Sequence, residues 1–382
     1  MRAIIVGAGI AGLATALRLS HAGWETLVVE RAAARRGGGY AVTFGGIGHD
    51  GAERLGVLRA LRDRSFVTAE LAYRRPDGRL RFTLSGEAIA ATMDETSFTI
   101  LRGDIESVLF EAVRDRTTVR FGTTVTAVDQ VGRTVTVTLS DGSTEHADLL
   151  VGADGLHSAV RNLVFGPEQQ YLRNLGHQVG VYMLPRRPQG LADGASGTIS
   201  DGGRTFAINS VGNGRTTAFF GYRTDIPTAA VTGDPRVALP AVYRDMGWLV
   251  PEALVGLRTA DSVYFDTISQ AVLERWSTGN VVLVGDAAWC VSLFAGYGSS
   301  LAVGGADALG TALERHRGDI PGALAEWERA LRPDVERKQR LGRWVKDVYA
   351  PRSRLMLELT QLPLRLASWP PVRSLIGRHL QG

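Results

Sequence analysis

The chain has 382 residues, of which 45% are hydrophobic and 21% are charged. This length and balance predict about two or three domain-sized units with packed cores and exclude a fibrous or disordered protein. The net charge is +4, but acids and bases are interleaved, so no basic stripe of the kind that binds nucleic acid is present. A single cysteine, Cys290, excludes a disulfide framework and a cysteine-cluster metal site, and we expect no metal and a reducing, cytoplasmic compartment. No apolar run approaches the roughly 20 residues that span a bilayer, so a membrane partner is not expected.

The amino terminus carries a dinucleotide-binding fingerprint. An apolar run leads into Gly-x-Gly-x-x-Gly, and a segment rich in alanine and leucine follows. This order predicts a strand, a tight turn and a helix. Gly7 allows the turn, Gly9 allows a pyrophosphate to approach the backbone, and Gly12 allows the helix to pack closely on the strand. Ile10 and Ala11 open the helix, whose amino terminus binds phosphates.

The second predicted strand ends in an acidic residue. Glu30 lies roughly 20 residues after the fingerprint, where a carboxylate accepts hydrogen bonds from an adenosine ribose. It favours an unphosphorylated ribose, as in FAD or NAD, and the fingerprint alone does not separate these two. Arg31 follows, and then a glycine-rich loop that contains Gly38 and Gly39. Adjacent glycines favour close approach of a ligand over a plain turn.

Two helices and a hairpin are predicted next. Apolar residues at helical spacing predict a helix over 48–61. Two short apolar runs on either side of Arg-Arg-Pro-Asp-Gly at 74–78 predict a hairpin. Arg102 stands just before another helical pattern, in a position to reach a phosphate or the edge of a cofactor ring. Two or three antiparallel strands are predicted over 119–139.

Two buried strands end in motifs of glycine and aspartate. The first ends at Asp154 and Gly155, and the second ends at Gly285 and Asp286. An acid just past the end of a central strand points into the crevice where such sheets bind ligands. A glycine-rich loop then precedes a helix whose partial positive charge suits an anionic ligand atom. The residues of this loop and helix start are Gly296, Tyr297, Gly298 and Ser299.

The pattern between these motifs, over 175–264, consists of short strands and glycine-rich turns, which predict a second, mainly antiparallel sheet. One face of that sheet is a candidate roof for a substrate pocket. The alternative for each candidate side chain is an ordinary core or surface role. The candidates are Tyr182, Asn209, Phe219, Tyr222 and Arg223.

The carboxyl-terminal part predicts a long helix over 323–349 and a second, arginine-dotted apolar stretch over 355–380, broken at Pro370 and Pro371. We expect the terminal helix to pack across the two domains. The alternative is a basic amphipathic segment that lies on a membrane surface.

The order and spacing of these motifs resemble the single-component (group A) FAD-dependent aromatic hydroxylases related to para-hydroxybenzoate hydroxylase. In outline the chain is most similar to the compact tetracycline-inactivating and antibiotic-tailoring monooxygenases. The resemblance implies an α/β fold: a Rossmann-like FAD-binding domain, an inserted antiparallel β-sheet substrate domain and C-terminal helices. The implied boundaries are 1–72, 98–172 and 265–320 for the FAD-binding domain, 73–97 and 173–264 for the substrate domain, and 321–382 for the helical segment.

The same resemblance implies roles for individual residues. Glu30 binds the adenosine ribose, and Arg102 contacts the cofactor near the pyrophosphate. Asp154 lies by the FAD and the path of a transient nicotinamide, and Asp286 holds the ribityl or pyrophosphate region. The backbone at 296–298 faces the pyrimidine end of the flavin, and the 37–40 loop covers the isoalloxazine.

The chemistry implied by the resemblance is monooxygenation. NADH or NADPH reduces FAD, O2 adds to give a C4a-hydroperoxide, and its distal oxygen passes to an electron-rich aromatic or polyketide-type substrate. The flavin carries the chemistry while the protein positions the reactants and excludes water, so no catalytic side chain is expected. The substrate, the choice of nicotinamide and the oligomeric state stay open, as do epoxidation and Baeyer-Villiger insertion.

Two places depart from the family pattern. Members usually carry His-Pro after Gly-Asp-Ala-Ala and a proline before the glycine loop, where this chain has Trp289-Cys290 and Leu293-Phe294. Trp289 and Leu293 either shape the substrate wall for a large apolar substrate or repack the core.

Halogenation is disfavoured, because no lysine precedes Lys338 and the Trp-x-Trp-x-Ile-Pro motif is absent. Reduction of isoprenoid chains and sequestration of an intermediate by a flavin-bound tailoring protein, without NAD(P)H turnover, stay open.

Overall fold

The structure, a computed structural model, describes residues 1–35, 37–224, 233–351 and 353–367. The strands are β1 (Arg2–Val6), β2 (Glu25–Glu30), β3 (Ala41–Phe44), β4 (Glu70–Arg74), β5 (Leu80–Ser85), β6 (Phe98–Leu101), β7 (Thr118–Phe121), β8 (Val125–Val131), β9 (Thr134–Leu139), β10 (Thr144–Ala147), β11 (Leu149–Gly152), β12 (Leu172–Met183), β13 (Ala195–Asp201), β14 (Arg204–Ser210), β15 (Thr216–Arg223), β16 (Val263–Ala271), β17 (Ser277–Thr278) and β18 (Val281–Leu283). The helices are α1 (Ile10–His21), α2 (Ile47–Arg54), α3 (Leu58–Asp63), α4 (Gly86–Ala90), α5 (Arg102–Val113), α6 (Ala159–Val164), α7 (Pro235–Tyr243), α8 (Val250–Gly256), α9 (Asp286–Trp289), α10 (Gly298–Arg315), α11 (Ile320–Tyr349) and α12 (Arg354–Ala367).

A six-stranded, mostly parallel sheet has the order β17-β18-β11-β1-β2-β7. Strand β1 lies parallel to both β2 and β11, and only the short β17 pairs antiparallel. Ala3 to Val6 are fully or almost fully buried, as expected for a central strand with helices on both faces of the sheet. Ligands bind outside the carboxyl ends of such strands, and there the fingerprint and both Gly/Asp motifs lie. The expected α/β fold with a Rossmann-like domain is confirmed.

A seven-stranded sheet has the order β16-β12-β15-β14-β13-β4-β5. Its neighbouring strands are antiparallel, except for the parallel pair β13 and β4. Side chains alternate between its two faces. Val181 and Phe219 lie on one face with Phe294, whereas Tyr182 and Phe220 lie on the other face, which α7 and α8 cover.

One sequence prediction of local structure is wrong. The helix predicted over 48–61 is two helices, α2 and α3, because Gly56 adopts φ 73° and ends the first one. Of the two or three antiparallel strands predicted over 119–139, two are present, β8 and β9. Strand β7 instead pairs parallel with β2, and β10 adds an antiparallel strand beyond that range.

The long terminal helix is present as α11, which begins at Ile320 and ends at Tyr349. It packs against α10, and an ion pair of 2.8 Å between Arg81 and Glu358 joins α12 to β5. The predicted break at Pro370 and Pro371 lies outside the described residues. None of the helices in the described ranges combines the length and apolarity needed to cross a membrane. The domain boundaries stay a prediction, since β4 and β16 each extend across one of them.

Candidate active site

A cavity of about 730 Å³ lies between the carboxyl ends of the parallel strands and one face of the seven-stranded sheet. This volume is within the usual range for cofactor and ligand sites. Most of the predicted cofactor-binding residues line it. They are Gly7, Gly9, Ile10, Ala11, Glu30, Arg31, Gly38, Gly39, Arg102, Asp154, Gly155, Asp286, Gly296, Gly298 and Ser299. Gly12, Gly285 and Tyr297 do not line it.

The three fingerprint glycines differ in what surrounds them. A Cβ on Gly7 would lie 2.5 Å from the carbonyl oxygen of Ala153, and a Cβ on Gly12 would lie 1.9 Å from that of Gly7. At Gly9 the nearest atom to a Cβ would be Nη2 of Arg102, at 3.9 Å. The chain itself therefore requires glycine at positions 7 and 12, whereas position 9 is open on the side that faces the cavity.

The Glu30 carboxylate is held at the end of β2 by backbone amides. Oε2 accepts a hydrogen bond of 2.8 Å from the Ala8 N–H, and Oε1 accepts one of 2.7 Å from the Ala32 N–H. A carboxylate has about four lone-pair sites, so this arrangement fixes its orientation and leaves acceptor capacity toward the cavity. Arg31, directly after it, is exposed.

Arg102 and Asp286 both line the cavity. Arg102 Nη1 donates to Glu106 Oε2 at 3.2 Å. Burial lowers the pKa of Arg102, but the charges of Tyr40, Glu106 and Asp286 outweigh it and the net shift is upward. Asp286 faces the cavity, whose walls desolvate its carboxylate and raise its pKa, while Arg102 opposes that shift. The pair presents a cation and an acid to a ligand.

Asp154 lines the cavity, but both of its oxygens have protein partners. Ser158 Oγ donates to Oδ1 at 2.5 Å, and the Val160 N–H donates to Oδ2 at 3.1 Å. Burial raises the pKa of Asp154, and these hydrogen bonds oppose the shift. Its clearest role is to fix the turn that leads into α6 at the edge of the cavity.

The amino terminus of α10 points into the same cavity. Its first residues, Gly298 and Ser299, are lining residues, and its first turn holds no acid. The helix dipole therefore favours negative charge at this point. Tyr297 lies outside the cavity wall, with Lys338 Nζ 3.3 Å from the centre of its ring. Gly285 packs on α1, where a Cβ would come within 2.6 Å of Ala11 Cβ.

The substrate-side candidates are divided between the two faces of the large sheet. Tyr182 borders the cavity, but its ring stacks on Phe220 on the opposite face, and its hydroxyl donates to the Ala253 carbonyl at 2.6 Å. The Tyr222 hydroxyl donates to Gln178 Oε1 at 2.6 Å. Both rings belong to the core under α7 and α8, because alternation along a strand turns them away from the side of Val179 and Val181.

The other sheet candidates lie on the same face of the sheet as Val181, but none of them lines the cavity. Phe219 packs edge-on against Tyr349 of α11, with ring centres 5.4 Å apart. Arg223 Nη1 pairs with Asp347 at 3.1 Å, so it joins the sheet to the terminal helix. Asn209 is half-buried, on the same face as Phe219.

The two residues that depart from the family pattern, Trp289 and Leu293, lie in different surroundings. Trp289 is 2% exposed and packs against Trp276 and Trp327, with ring centres 4.7 and 5.6 Å away. Of the two alternatives, core packing is the one that these contacts support, and Trp289 is not among the residues that line the cavity. Leu293 lines the cavity.

Sequence reasoning missed a charged cluster at the cavity edge. His157 Nδ1 lies 3.1 Å from Glu168, and its Nε2 lies 3.1 Å from Asp266 on β16. The hydrogen bond to Asp266, reinforced by Glu168 and opposed by burial, raises the pKa of His157 to about 9. No local pattern signals the contact with Asp266, because His157 and Asp266 are 109 residues apart. Within the described ranges, no group of histidine, cysteine and acidic residues is arranged to hold a metal ion.

These residues fit the FAD that the resemblance implies. Gly9 leaves backbone open to a pyrophosphate, Glu30 keeps acceptor capacity for ribose hydroxyls, and the start of α10 suits an anionic ring edge. All three features open onto one cavity.

Comparison with known proteins agrees with this fit. Residues 1–319 match the family model described as FAD binding domain. A flavin-dependent monooxygenase from an unknown prokaryotic organism is 30% identical over 352 residues, which cover 91% of this chain and 90% of that protein. The crystal structure of the tetracycline destructase Tet(51) is similar with a TM-score of 0.82 and 27% identity, covering 96% of each chain. HpxO of Klebsiella pneumoniae, solved with FAD and uric acid, shares the fold with a TM-score of 0.80 at 24% identity, over 100% of this chain and 97% of that one. The chain therefore belongs to the FAD binding domain family and is an FAD-dependent monooxygenase, an oxidoreductase of a family in which NAD(P)H is the typical co-substrate.

Proposed function

We propose that this monooxygenase uses NAD(P)H and O2 to hydroxylate an uncharged aromatic or polyketide-type natural product. One observation carries the proposal: the cavity that begins at the nucleotide fingerprint continues without interruption to an apolar wall on the large sheet. That wall is formed by Val179, Val181, Met183 and Ile268 of the sheet, and Leu293 from the turn before α10 adjoins it. An apolar wall next to a flavin suits a ring that binds by its faces.

The charged groups that line the cavity beside this wall support an uncharged substrate. Asp266 on β16 is bonded to His157, and both side chains line the cavity. A substrate carboxylate would need an unpaired cation there, and His157 is already engaged by Asp266 and Glu168. A phenol, quinone or polyketide needs no such partner.

The protein's own contribution is binding, orientation and exclusion of water. When bound, FAD supplies the electron transfer from NAD(P)H and the activation of O2. Backbone N–H groups at the start of α10 stabilise negative charge that develops beside them. Val345 and Tyr349 of α11 pack against the apolar cluster that contains Val179 and Val181, and an apolar wall of this kind keeps water from the reacting atoms. The similarity to a tetracycline destructase supports a fused-ring substrate of this kind.

The test is NADH or NADPH oxidation and O2 consumption by the purified yellow protein, with tetracyclines, anthraquinones and simple phenols as the panel. We expect one class to stimulate both rates and to yield a product that is heavier by one oxygen atom. Substrate reduction without O2 uptake would instead favour a reductase. Bound FAD that neither nicotinamide reduces, with any substrate, would favour an intermediate-sequestering protein.

A further inference from the structure

An acidic side chain lies in the cofactor cavity beside the arginine that we expect to contact the pyrophosphate. Glu106, one helical turn after Arg102 on α5, lines the cavity, and its side chain is only 13% exposed. Its Oε2 accepts the 3.2 Å hydrogen bond from Arg102 Nη1. Nη2 of the same guanidinium is the atom nearest to a Cβ on Gly9, at 3.9 Å. The guanidinium therefore links Glu106 to the glycine over which a pyrophosphate would pass.

The surroundings of Glu106 do not favour a charged carboxylate. Burial has the largest effect, and it raises the pKa of Glu106 above its ordinary value. Arg102 on α5 and Arg35 in the loop after β2 oppose this shift, whereas the charge of Glu30 at the end of β2 adds to it. Arg35 is also engaged elsewhere, since its Nη2 donates to Ser107 Oγ at 2.7 Å. The cations near Glu106 therefore do not fully offset the cost of its burial.

A bound pyrophosphate brings further negative charge to the same guanidinium. Each of its phosphates carries a negative charge that persists over the whole pH range in which proteins are folded. Nearby like charges raise the pKa of a carboxyl group, so FAD raises that of Glu106 further. A protonated carboxyl group no longer repels the phosphates, and its carbonyl oxygen still accepts a hydrogen bond from Arg102.

We propose that Glu106 takes up a proton from solvent when FAD binds, and that its neutral carboxyl group then positions Arg102 toward the pyrophosphate. Glu106 is a positioning residue, because it acts on the cofactor through Arg102. The complex then holds more protons than the free protein, so FAD affinity falls as the pH rises between the two pKa values of Glu106. This property belongs to cofactor binding and is independent of the substrate, so it goes beyond the proposed function.

Two substitutions separate the charge of Glu106 from its hydrogen bond. Glu106→Gln keeps an oxygen that accepts from Arg102 but removes the charge, so it imitates the protonated form at every pH. Glu106→Leu removes the acceptor as well and releases Arg102. Glu111→Gln is the matched control, because Glu111 lies on the same helix but does not line the cavity, and it pairs with Arg64 at 2.7 Å.

The test is titration of the apoproteins with FAD, followed by quenching of flavin fluorescence at pH 5.5 and pH 8.5. We expect wild-type affinity to be about tenfold weaker at pH 8.5, since one pKa unit corresponds to about a factor of ten. Glu106→Gln should bind FAD about tenfold more tightly than wild type at pH 8.5 and equally at pH 5.5. Glu106→Leu should bind more weakly than Glu106→Gln at both pH values, and Glu111→Gln should follow wild type.

Calorimetry measures the proton itself. FAD binding is repeated in buffers of different ionisation enthalpy, at the pH where wild-type affinity changes most steeply. We expect net proton uptake by wild type and by Glu111→Gln, and none by Glu106→Gln. The wild-type measurement stands alone if a variant fails to fold, which thermal unfolding of each apoprotein shows.

A wild-type FAD affinity that does not change with pH, or binding without proton uptake, would overturn the inference. It also fails if Glu106→Gln keeps the wild-type pH dependence, since the proton would then belong to another acid at the cavity, such as Glu30 or Asp286. Loss of the dependence in Glu111→Gln would equally contradict it, because the effect would then follow the charge of the helix and not the contact with Arg102. No turnover enters these measurements, so failure of the hydroxylase function would leave their outcome unchanged.

Discussion

Alanine at two of the fingerprint glycines should have opposite consequences. Gly12→Ala places a Cβ against a backbone oxygen of the protein, whereas Gly9→Ala places one in open space facing the cavity. We therefore expect Gly12→Ala to destabilise the apoprotein. Gly9→Ala should leave the apoprotein intact and weaken FAD binding, because its methyl group occupies the place where the pyrophosphate approaches.

The contacts set the magnitudes. The Gly12 Cβ would lie 1.9 Å from the Gly7 oxygen, where ordinary contact begins at 3.4 Å, and a backbone atom cannot rotate away. Overpacking of this kind costs up to about 3 kcal/mol, and the better helix propensity of alanine offsets about 1 kcal/mol. The remaining destabilisation of about 2 kcal/mol lowers the apoprotein Tm of a chain of this length by about 2 to 3 °C. For Gly9→Ala we expect a Tm change within about 1 °C and at least a tenfold loss of FAD affinity, equivalent to about 1.4 kcal/mol.

The assay is thermal unfolding of the apoproteins together with FAD titration by quenching of flavin fluorescence. The two variants serve as controls for each other, since they lie in one motif and make the same chemical change. FAD binding by Gly9→Ala at wild-type affinity would contradict this prediction, because it would show that the cofactor does not pass over this glycine.

Three further predictions follow from burial and charge. His157→Gln should lower the Tm at pH 6, and the difference from wild type should shrink as the pH rises through about 9. The reason is that a histidine whose pKa is raised by folding stabilises the protein while it is protonated, and this stabilisation is lost above the raised pKa. A difference that grows with pH would contradict the assigned pairing with Asp266. Trp289→Ala should lower the free energy of unfolding by about 3 to 5 kcal/mol and leave the substrate KM nearly unchanged. Leu293→Ala should change the KM with a smaller loss of stability. The reverse pattern would indicate that Trp289, and not Leu293, contacts the substrate. Burial raises the pKa of the Cys290 thiol well above its usual range, so a thiol reagent at pH 8 should label it slowly in the folded protein and rapidly after unfolding; rapid labelling of folded protein would contradict that burial.

The cofactor half of the site could be predicted because its signals are local. Gly7, Gly9 and Gly12 constrain one turn, and Glu30 follows at a fixed distance along the chain, so a stretch of about 30 residues carries the whole pattern. The fold and the FAD cofactor, both expected from the motifs and the resemblance, are confirmed by the family match.

The substrate half depends on which face of each strand is covered, and the sequence does not encode that locally. Val179 to Met183 are apolar or aromatic on both sides of the strand, apart from a glycine, so alternation gives no sign that Tyr182 faces α7 and α8 while Val181 faces the cavity. Trp289 presents the same difficulty, since its partners Trp276 and Trp327 come from distant elements.

The most direct test of monooxygenation by this protein is incorporation of isotopically labelled oxygen. The FAD-loaded protein would be incubated with NADPH, or with NADH, and the best substrate of the panel under 18O2 gas in unlabelled water, and the product would be weighed by mass spectrometry. We expect one labelled oxygen atom in the product and consumption of one nicotinamide for each product formed. A reduced product, or a product whose new oxygen comes from water, would contradict it.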